Sequence, residues 1–302
     1  MTATVDRADR PARGDRPDGA VMTDAPTSHA ETDHAAPRAL ILTAPGINCD
    51  GELFRAFALA GGRPESVPLS RLRREPSIVD DFDLVGLPGG FSYGDDGGAG
   101  RILAQIIRRE LYPAFAAAIA RGVPMIAPCN GFQIAVQAGL LPGPAAGEPW
   151  PAEPPRPTVA LAPNEQGRFR DAWTGFDVPP DTRCVWTRGL GDLHPSVRLL
   201  PSAHGEGRFI AAPDVVAALE ADGRIAVRYA ESDHFNGSVG RIAGICDASG
   251  LVFGLMPHPE RYTRWTQHPT WTRLAPGRRD GDAPGLRMFR NAVTHAAKVA
   301  AG

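Results

Sequence analysis

Lysine is nearly absent from this sequence of 302 residues. Lys298, close to the C-terminus, is the only one, and arginine supplies the other basic side chains. A phosphate-binding loop of the form G-x-x-x-x-G-K-[ST] therefore cannot be present, and neither can an internal lysine that forms a Schiff base. Any ATP-dependent step must use another chain or a different kind of nucleotide site.

Cysteines, long apolar runs and net charge are also scarce. The four cysteines, at positions 49, 129, 184 and 246, form no C-x-x-C pair and are too few for a disulfide scaffold. No run approaches the roughly 20 apolar residues of a membrane helix. A formal net charge of −2 provides no field that would attract nucleic acid or an anionic membrane. We expect a soluble, cytoplasmic protein that binds neither nucleic acid nor membranes.

The first 37 residues differ in composition from the rest of the chain. They contain no Leu, Ile, Phe, Trp or Tyr, and their seven acidic and four arginine side chains give a net charge of −3. Such a segment buries too little apolar area to offset the entropy lost on ordering. Its acids and its lack of an apolar region argue against a targeting peptide. The composition predicts a disordered tail over residues 1–37 and a folded domain over residues 38–302.

The first half of this domain alternates strands and helices. The apolar runs ALILTA, DLVGLPGG and PMIAP each lead through a loop into a helical pattern, and Asn48 and Asp50 are candidate caps for the first helix. The second helical pattern covers RILAQIIRRELYPAFAAAIARG. This order predicts parallel strands joined by right-handed crossovers, with the functional site at their carboxyl ends.

The second half is richer in β-structure. A proline-rich connection, Pro142–Pro157, precedes the predicted strands TVALA, RCVWT, VRLLP and RIAVRYA and the hairpin IAGICDASGLVFGLM. Helices are predicted over DVVAALEA and from about Gly285 to Lys298. The prolines can instead mark a domain boundary. We favour one domain, because the last strand must end beside the loops of the first half if the chemistry below is correct.

The segment PMIAPCNGFQ contains the strongest candidate for a nucleophile, Cys129. A cysteine between an apolar strand and a helix, with Gly131 two residues later, has the layout of a nucleophile elbow. The N-terminus of the helix would stabilise a thiolate. The alternative is a buried core cysteine, which is our prediction for Cys184 and Cys246. We place Cys49 in a loop or helix cap, with a position in the site as the lesser alternative.

Two further segments carry chemical groups. The glycine-rich loop LPGGFSYGDDGGAGR is suited to an oxyanion hole built from the N–H groups of Gly90 and Asn130, although turn formation alone is the alternative. The segment LMPHPER holds His258 and Glu260 on either side of a proline. Combined with Cys129, this pair suggests a Cys-His-Glu triad in which the histidine moves protons.

Five segments in colinear order carry a family resemblance: GFSYGDD, PCNGFQ, AHGEGRF (203–209), NGSVGRIAGICD (236–247) and GLMPHPER. From about residue 39 to 298 the chain resembles the class I, or triad, glutamine amidotransferases. Within that class it is most similar to the glutaminase subunits of phosphoribosylformylglycinamidine synthase, an enzyme of purine synthesis. Other amidotransferases of the class do not combine these five segments.

The resemblance implies a fold and an activity. The fold is a flavodoxin-like three-layer α/β fold with a mostly parallel central sheet, here with an additional β-rich second half. The activity is hydrolysis of L-glutamine and transfer of ammonia to a separate ATP-dependent synthetase subunit, accompanied by a small accessory subunit. No metal or cofactor is implied on this chain, and ATP and Mg²⁺ are expected on the synthetase.

The resemblance also implies roles for individual residues. Cys129 is the nucleophile, His258 the general base and acid, and Glu260 the group that orients the histidine. The implied oxyanion donors are Gly90 and Asn130. The residues implied to hold the substrate glutamine, or in the last case to lie next to it, are Phe91, Ser92, Gln133 and His204.

Three features depart from the family pattern. They are the acidic tail, the glycine-rich stretch after GFSYGDD, and an extended segment over residues 262–282 that contains Trp265 and Trp271. This last segment is either an exposed docking surface for a partner or a packed Ω-loop. Two alternative functions stay open at this stage: another cysteine hydrolase or peptidase on the same fold, and a catalytically silent module that regulates a partner.

Overall fold

The computed structural model describes residues 36–301 of the chain. The predicted tail over residues 1–37 lies outside these residues except for its last two positions. Pro37 already joins the folded part, because its carbonyl oxygen accepts a hydrogen bond of 2.8 Å from the N–H of Arg63. Disorder of the residues before it stays a prediction.

The described chain contains both strands and helices throughout its length. The strands are β1 (Arg38–Thr43), β2 (Arg63–Pro68), β3 (Leu84–Gly86), β4 (Met125–Pro128), β5 (Val159–Pro163), β6 (Arg170–Asp177), β7 (Leu199–His204), β8 (Glu206–Ala211), β9 (Ile225–Tyr229), β10 (Ile242–Cys246) and β11 (Val252–Leu255). The α-helices are α1 (Asp50–Leu59), α2 (Leu69–Arg74), α3 (Arg101–Ile106), α4 (Tyr112–Ala120), α5 (Asn130–Ala138), α6 (Pro213–Ala221) and α7 (Pro284–Ala301). Within the described residues, none of these helices has both the length and the apolar character needed to span a bilayer.

Nine of the strands form one sheet in the order β2-β1-β3-β4-β11-β10-β9-β6-β7. Neighbouring strands are parallel from β2 to β11 and antiparallel from β11 to β7. Strands β5 and β8 form a separate antiparallel pair. The predicted fold class, α/β with a parallel central sheet and a β-rich second half, is confirmed.

The sheet separates two hydrophobic cores, because successive side chains of a strand point to opposite faces. In β1, Leu40 and Leu42 join the core that contains residues of α2, α3, α4, α5 and α6, whereas Ala39 and Ile41 join the core with α1 and α7. Helices therefore cover both faces of the sheet. This gives the three predicted layers.

The strand predicted over RCVWT is wrong. Val185–Thr187 form a 3₁₀ turn, in which Trp186 is fully buried and donates a hydrogen bond of 2.7 Å from Nε1 to the carbonyl of Leu251. Its ring packs edge-on against Phe57 of α1 and Phe289 of α7. The run is apolar because it fills this core, and a short apolar run alone does not distinguish a strand from a buried turn.

The predicted long helix after the glycine-rich loop is interrupted. A π-helical turn, Ile107–Leu111, separates α3 from α4. Pro113, in the first turn of α4, has no N–H, and its ring would clash with the carbonyl group four residues earlier in a regular α-helix. The wider turn accommodates the proline at this point.

Candidate active site

Cys129 lies on a sharp turn at the carboxyl end of β4. Its backbone is strained for a non-glycine residue, with φ +51° and ψ −112°, and α5 begins at the next residue. A Cβ atom on Gly131 would lie 2.0 Å from the carbonyl oxygen of Leu87, so only glycine allows the helix to approach this closely. The predicted elbow geometry is present.

Strand β11 places His258 beside this turn. β11 pairs in parallel with β4, with Leu255 opposite Pro128, and the N–H of Cys129 donates a hydrogen bond of 2.7 Å to the carbonyl of Leu255. Three residues later, the N–H of His258 donates to the carbonyl of Pro201 at 2.7 Å. The segments that follow β4 and β11 therefore leave the sheet side by side, at the carboxyl ends of these two strands.

His258 and Glu260 form a buried pair. The His258 Nδ1 and Glu260 Oε1 atoms are 2.6 Å apart, and the two side chains are 2% and 0% exposed. Burial alone would lower the pKa of His258, but the Glu260 carboxylate and the Cys129 sulfur outweigh burial and raise that pKa to about 10. The ring is therefore an imidazolium at neutral pH.

Gly89 shows how close the thiol and the imidazole are. A Cβ atom placed on Gly89 would lie 3.1 Å from Cε1 of His258, 3.3 Å from Cβ of Cys129 and 3.4 Å from Sγ of Cys49. The Cys129 sulfur is 3.8 Å from the carbonyl oxygen of Ala203. The three predicted triad residues thus lie together, at the position where the carboxyl ends of β3, β4 and β11 meet.

The proposed oxyanion donors flank the same turn. In the described part of the chain, the N–H groups of Gly90 and Asn130 donate to no other protein group, which leaves both available to a ligand. The Asn130 side chain accepts a hydrogen bond of 3.2 Å from the N–H of Ser92 and donates one of 2.9 Å to Gln133. Asn130 therefore ties the glycine-rich loop to the elbow.

A pocket of about 350 Å³ opens at the nucleophile. Ser92, Asn130 and Glu260 are buried and are not among its lining residues. Six of the residues predicted for the site do line it: Gly90, Phe91, Cys129, Gln133, His204 and His258.

Gln133 and His204 use their polar atoms within the protein. The Gln133 Nε2 donates to the carbonyl of Glu206 at 2.6 Å. The ring nitrogens of His204 lie 3.1 Å from Asn164 Oδ1 and 3.3 Å from the hydroxyl of Tyr229. Burial and the charge of His258 lower the pKa of His204 to about 3, so this ring stays neutral. These contacts hold the pocket wall in place.

Several pocket residues were missed by the sequence analysis. Cys49 is not one of them: it is the N-cap of α1, which was one of its predicted positions, and it lines the pocket, which was the lesser alternative. It takes the place of the predicted caps Asn48 and Asp50, and its side chain makes no capping bond. Arg261 was missed. Its position in the sequence, directly after Glu260, could have indicated that it lies near the site. The other missed lining residues, apart from Ala99, Ala203 and Gly205, are Asn48, Asp95, Phe169, Asp171 and Glu206.

The segment over residues 262–282 is partly packed and partly exposed. Trp265 packs edge-on against Tyr262 and donates a hydrogen bond of 2.8 Å from Nε1 to the carbonyl of Gly281. His268 is buried, with Nε2 at 2.9 Å from the carbonyl of Ser196. Trp271 is 38% exposed, beneath the guanidinium of Arg279. Trp265 and His268 therefore pack against the protein, whereas Trp271 is accessible, and the two alternatives both stay predictions.

Comparison with known proteins extends this picture. Residues 36–296 match the model of the CobB/CobQ-like glutamine amidotransferase domain. The chain is 40% identical over 272 residues to phosphoribosylformylglycinamidine synthase subunit PurQ of Dehalococcoides mccartyi, which covers 87% of this chain and 98% of that protein. The PurQ subunit of Frankia casuarinae is 38% identical over 256 residues, covering 84% of this chain and 92% of that protein.

A solved structure supports the same relationship. The chain aligns with one in the structure of PurLQS from Thermotoga maritima at 31% identity and a TM-score of 0.61, covering 86% of this chain and 99% of that one. The match spans nearly the whole solved chain and includes both halves of the sheet. The chain therefore belongs to the glutamine amidotransferase domain family, within it to the PurQ subunits of phosphoribosylformylglycinamidine synthase.

Proposed function

We propose that this chain is the glutaminase subunit of phosphoribosylformylglycinamidine synthase in purine biosynthesis. It hydrolyses L-glutamine to glutamate and passes the ammonia to an ATP-dependent synthetase subunit, which converts formylglycinamide ribonucleotide to formylglycinamidine ribonucleotide. The observation that carries the proposal is Cys129 on a strained elbow beside the buried His258–Glu260 pair. The PurQ relatives favour this function over a peptidase or a silent regulatory module.

The first half-reaction forms a thioester. The Cys129 thiolate attacks the side-chain carboxamide carbon of glutamine, and the negative charge that develops on its oxygen is bound by the N–H groups of Gly90 and Asn130. Because His258 is protonated at neutral pH, its ring donates a proton to the departing ammonia. Glu260 stabilises the imidazolium and fixes its orientation.

The second half-reaction releases glutamate. The imidazole of His258, now neutral, takes a proton from water, which attacks the thioester carbon. The tetrahedral intermediate uses the same oxyanion donors and collapses with Cys129 as the leaving group. One water is consumed for each glutamine, and glutamate and ammonia are the products.

The pocket suits a zwitterionic amino acid. Side chains of both charge signs line it, with Arg261 as the guanidinium and Asp171 and Glu206 among the carboxylates. A volume of about 350 Å³ falls at the lower end of the range for small-molecule sites. These groups can meet the ammonium and carboxylate charges of glutamine while its carboxamide reaches Cys129.

The remaining chemistry is assigned to partners. One solved relative is described as PurLQS, and by analogy we infer a synthetase subunit and a small accessory subunit as partners in the cytoplasm. ATP and Mg²⁺ act on the synthetase, and the glutaminase reaction on this chain needs no metal or cofactor. We therefore expect that the pure chain alone does not convert formylglycinamide ribonucleotide when given ATP.

The direct test traps the thioester. The chain is incubated with glutamine and hydroxylamine, alone and with its synthetase partners, and γ-glutamyl hydroxamate is measured. We expect hydroxamate from the wild type and none from Cys129→Ala. In the assembled complex, Cys129→Ala abolishes glutamine-dependent synthesis and leaves ammonia-dependent synthesis in place.

Cys184→Ala is the matched control, because Cys184 is also a buried thiol but does not line the pocket. This variant keeps hydroxamate formation. If the wild type forms no hydroxamate even with its partners, the chain is not a glutaminase. If Cys129→Ala also loses ammonia-dependent synthesis, Cys129 has a structural role instead.

A further inference from the structure

Cys49 is a buried thiol that the glutaminase mechanism does not use. It is 2% exposed and lines the pocket together with Cys129 and His258. Its backbone N–H donates to the carbonyl of Gly89 at 3.4 Å, which holds the residue next to the triad. A second sulfur therefore lies next to the residues that carry out the chemistry.

Three side chains that can ligate a metal converge here. The Cys49 sulfur, a ring nitrogen of His258 and a carboxylate oxygen of Glu260 all lie within 4.8 Å of one another, and all three residues are buried. In the described part of the chain, the second carboxylate oxygen of Glu260, Oε2, has no hydrogen-bond partner. A buried carboxylate oxygen without a donor is costly, and a cation at this position would satisfy it.

We propose that Cys49, His258 and Glu260 form a binding site for Zn²⁺ that switches the active site off. Zinc prefers thiolate, imidazole and carboxylate ligands at about 2.0–2.3 Å, so ligand atoms around a tetrahedral ion lie roughly 3.3–3.8 Å apart. The three atoms lie within 4.8 Å of one another, and the 2.6 Å contact between Nδ1 of His258 and Glu260 must lengthen to admit the ion, so side-chain shifts of about 1 Å are required. Mg²⁺ and Ca²⁺ prefer oxygen ligands and are excluded by the thiol.

Charge and protons balance at this site. Zn²⁺ displaces the thiol proton of Cys49 and the imidazolium proton of His258, and both protons are released to solvent. The thiolate and the Glu260 carboxylate then neutralise the two positive charges of the ion. The Nη2 of Arg261 lies 3.1 Å from the Cys49 sulfur and can donate to the bound thiolate. Its own charge is paired with Glu52 at 2.9 Å.

The consequence for activity rests on the proposed function. An ion held by both Glu260 and His258 takes Nδ1, the ring nitrogen that faces the carboxylate. The other ring nitrogen then keeps its proton in a neutral ring, which is a far weaker acid than the imidazolium toward ammonia and has no lone pair with which to take a proton from water. The carboxylate that stabilises the imidazolium is occupied as well. We therefore expect zinc to stop hydroxamate formation while Cys129 itself stays unligated, and a chelator to restore it.

Binding is measured directly on the full chain without glutamine, by competition with a chromophoric zinc chelator. The wild type is expected to bind one Zn²⁺, Cys49→Ser to bind it at least about 10- to 100-fold more weakly, and Cys129→Ala to bind within about 3-fold of wild type. Co²⁺ provides a second probe, because a thiolate ligand produces a charge-transfer absorption band. This band should disappear in Cys49→Ser and persist in Cys129→Ala.

The two cysteine variants separate this site from zinc bound to the nucleophile. Loss of binding in Cys129→Ala with full binding in Cys49→Ser would place the ion on Cys129 and overturn the proposal. Failure of the wild type to bind one equivalent would do the same. Thermal unfolding without metal checks that each variant is folded, and Cys49→Ala replaces Cys49→Ser if the serine variant is not.

Activity is the separate second readout. Zinc binding by a chain that forms no hydroxamate would contradict the proposed glutaminase and leave the metal site standing. Zinc binding that leaves hydroxamate formation unchanged would overturn the inhibitory role. The two proposals therefore fail in different experiments.

Discussion

Replacing Glu260 by glutamine removes the charge that holds the proton on His258. The substitution keeps the size and hydrogen-bonding shape of the side chain, and the 2.6 Å contact to Nδ1 can still form through the amide oxygen. What disappears is the carboxylate, the largest influence that raises the pKa of His258 against its burial. The buried imidazolium then lacks its carboxylate partner.

The magnitude follows from the burial of the pair. Because the two side chains are 2% and 0% exposed, solvent and salt screen their attraction little. An opposite charge at this distance shifts a pKa by about 1–3 units, or about 1–4 kcal/mol. The pKa of His258 should therefore fall from about 10 by that amount. Loss of the partner that orients and stabilises a catalytic histidine lowers the rate by about 10²- to 10⁴-fold.

Two measurements check this prediction. The pKa of His258 is read from ring-nitrogen NMR shifts between pH 5 and 11, with the signal assigned by its loss in His258→Gln. The rate is taken from hydroxamate formation. Glu52→Gln is the control, because it removes a half-exposed carboxylate that contacts Arg261 and not the imidazole. An unchanged pKa in Glu260→Gln, or a rate within about 3-fold of wild type, would refute the assigned role of the carboxylate.

Two further predictions concern stability. The pKa of His258 is about 10 in the folded chain against an ordinary 6.5, so protonation of this ring stabilises the folded state. The contribution to the free energy of unfolding is complete below about pH 6.5 and is lost as the pH rises through 10. Denaturant unfolding should show the free energy of unfolding falling over this range, and less steeply in Glu260→Gln; an equal slope in both would contradict the assignment. Gly131→Ala should destabilise the chain by about 1–3 kcal/mol and reduce activity, because its Cβ would lie 2.0 Å from the Leu87 carbonyl. Gly51→Ala is the control, because a Cβ at this position in α1 would meet nothing within 4 Å, and it should raise the free energy of unfolding by up to about 1 kcal/mol. If both variants lower the unfolding temperature equally, the steric explanation is wrong.

The sequence predicted those features of the fold and site that are formed by residues close to one another in the chain. The elbow at Cys129 and the hairpin of β10 and β11 were recognisable because a short apolar strand, a turn signal and a glycine stand next to each other in the chain. The triad histidine was recognisable for a similar reason, since His258 and Glu260 flank a proline that fixes their relation. In each case the interacting groups are only a few residues apart.

Other parts of the site depend on contacts between distant segments. Phe169 and Asp171 reach the pocket because β6 pairs with β7, which places Asp171 opposite Ala203. No motif around Phe169 or Asp171 indicates a ligand. Trp186 was assigned to a strand because hydrophobicity alone does not reveal that its ring fills a core between α1 and α7.

The register between β4 and β11 is the contact on which the triad depends. The two strands are separated by more than 120 residues in the chain, yet Leu255 must lie opposite Pro128 for His258 to reach Cys129. Gly254 helps to set this register, because a Cβ there would lie 2.2 Å from the ring of Phe132 in α5. The helix that begins beside the nucleophile therefore packs directly on the strand that positions the histidine. A slip of one residue would turn the side chains of β11 to the opposite face and bring a bulkier residue against Phe132.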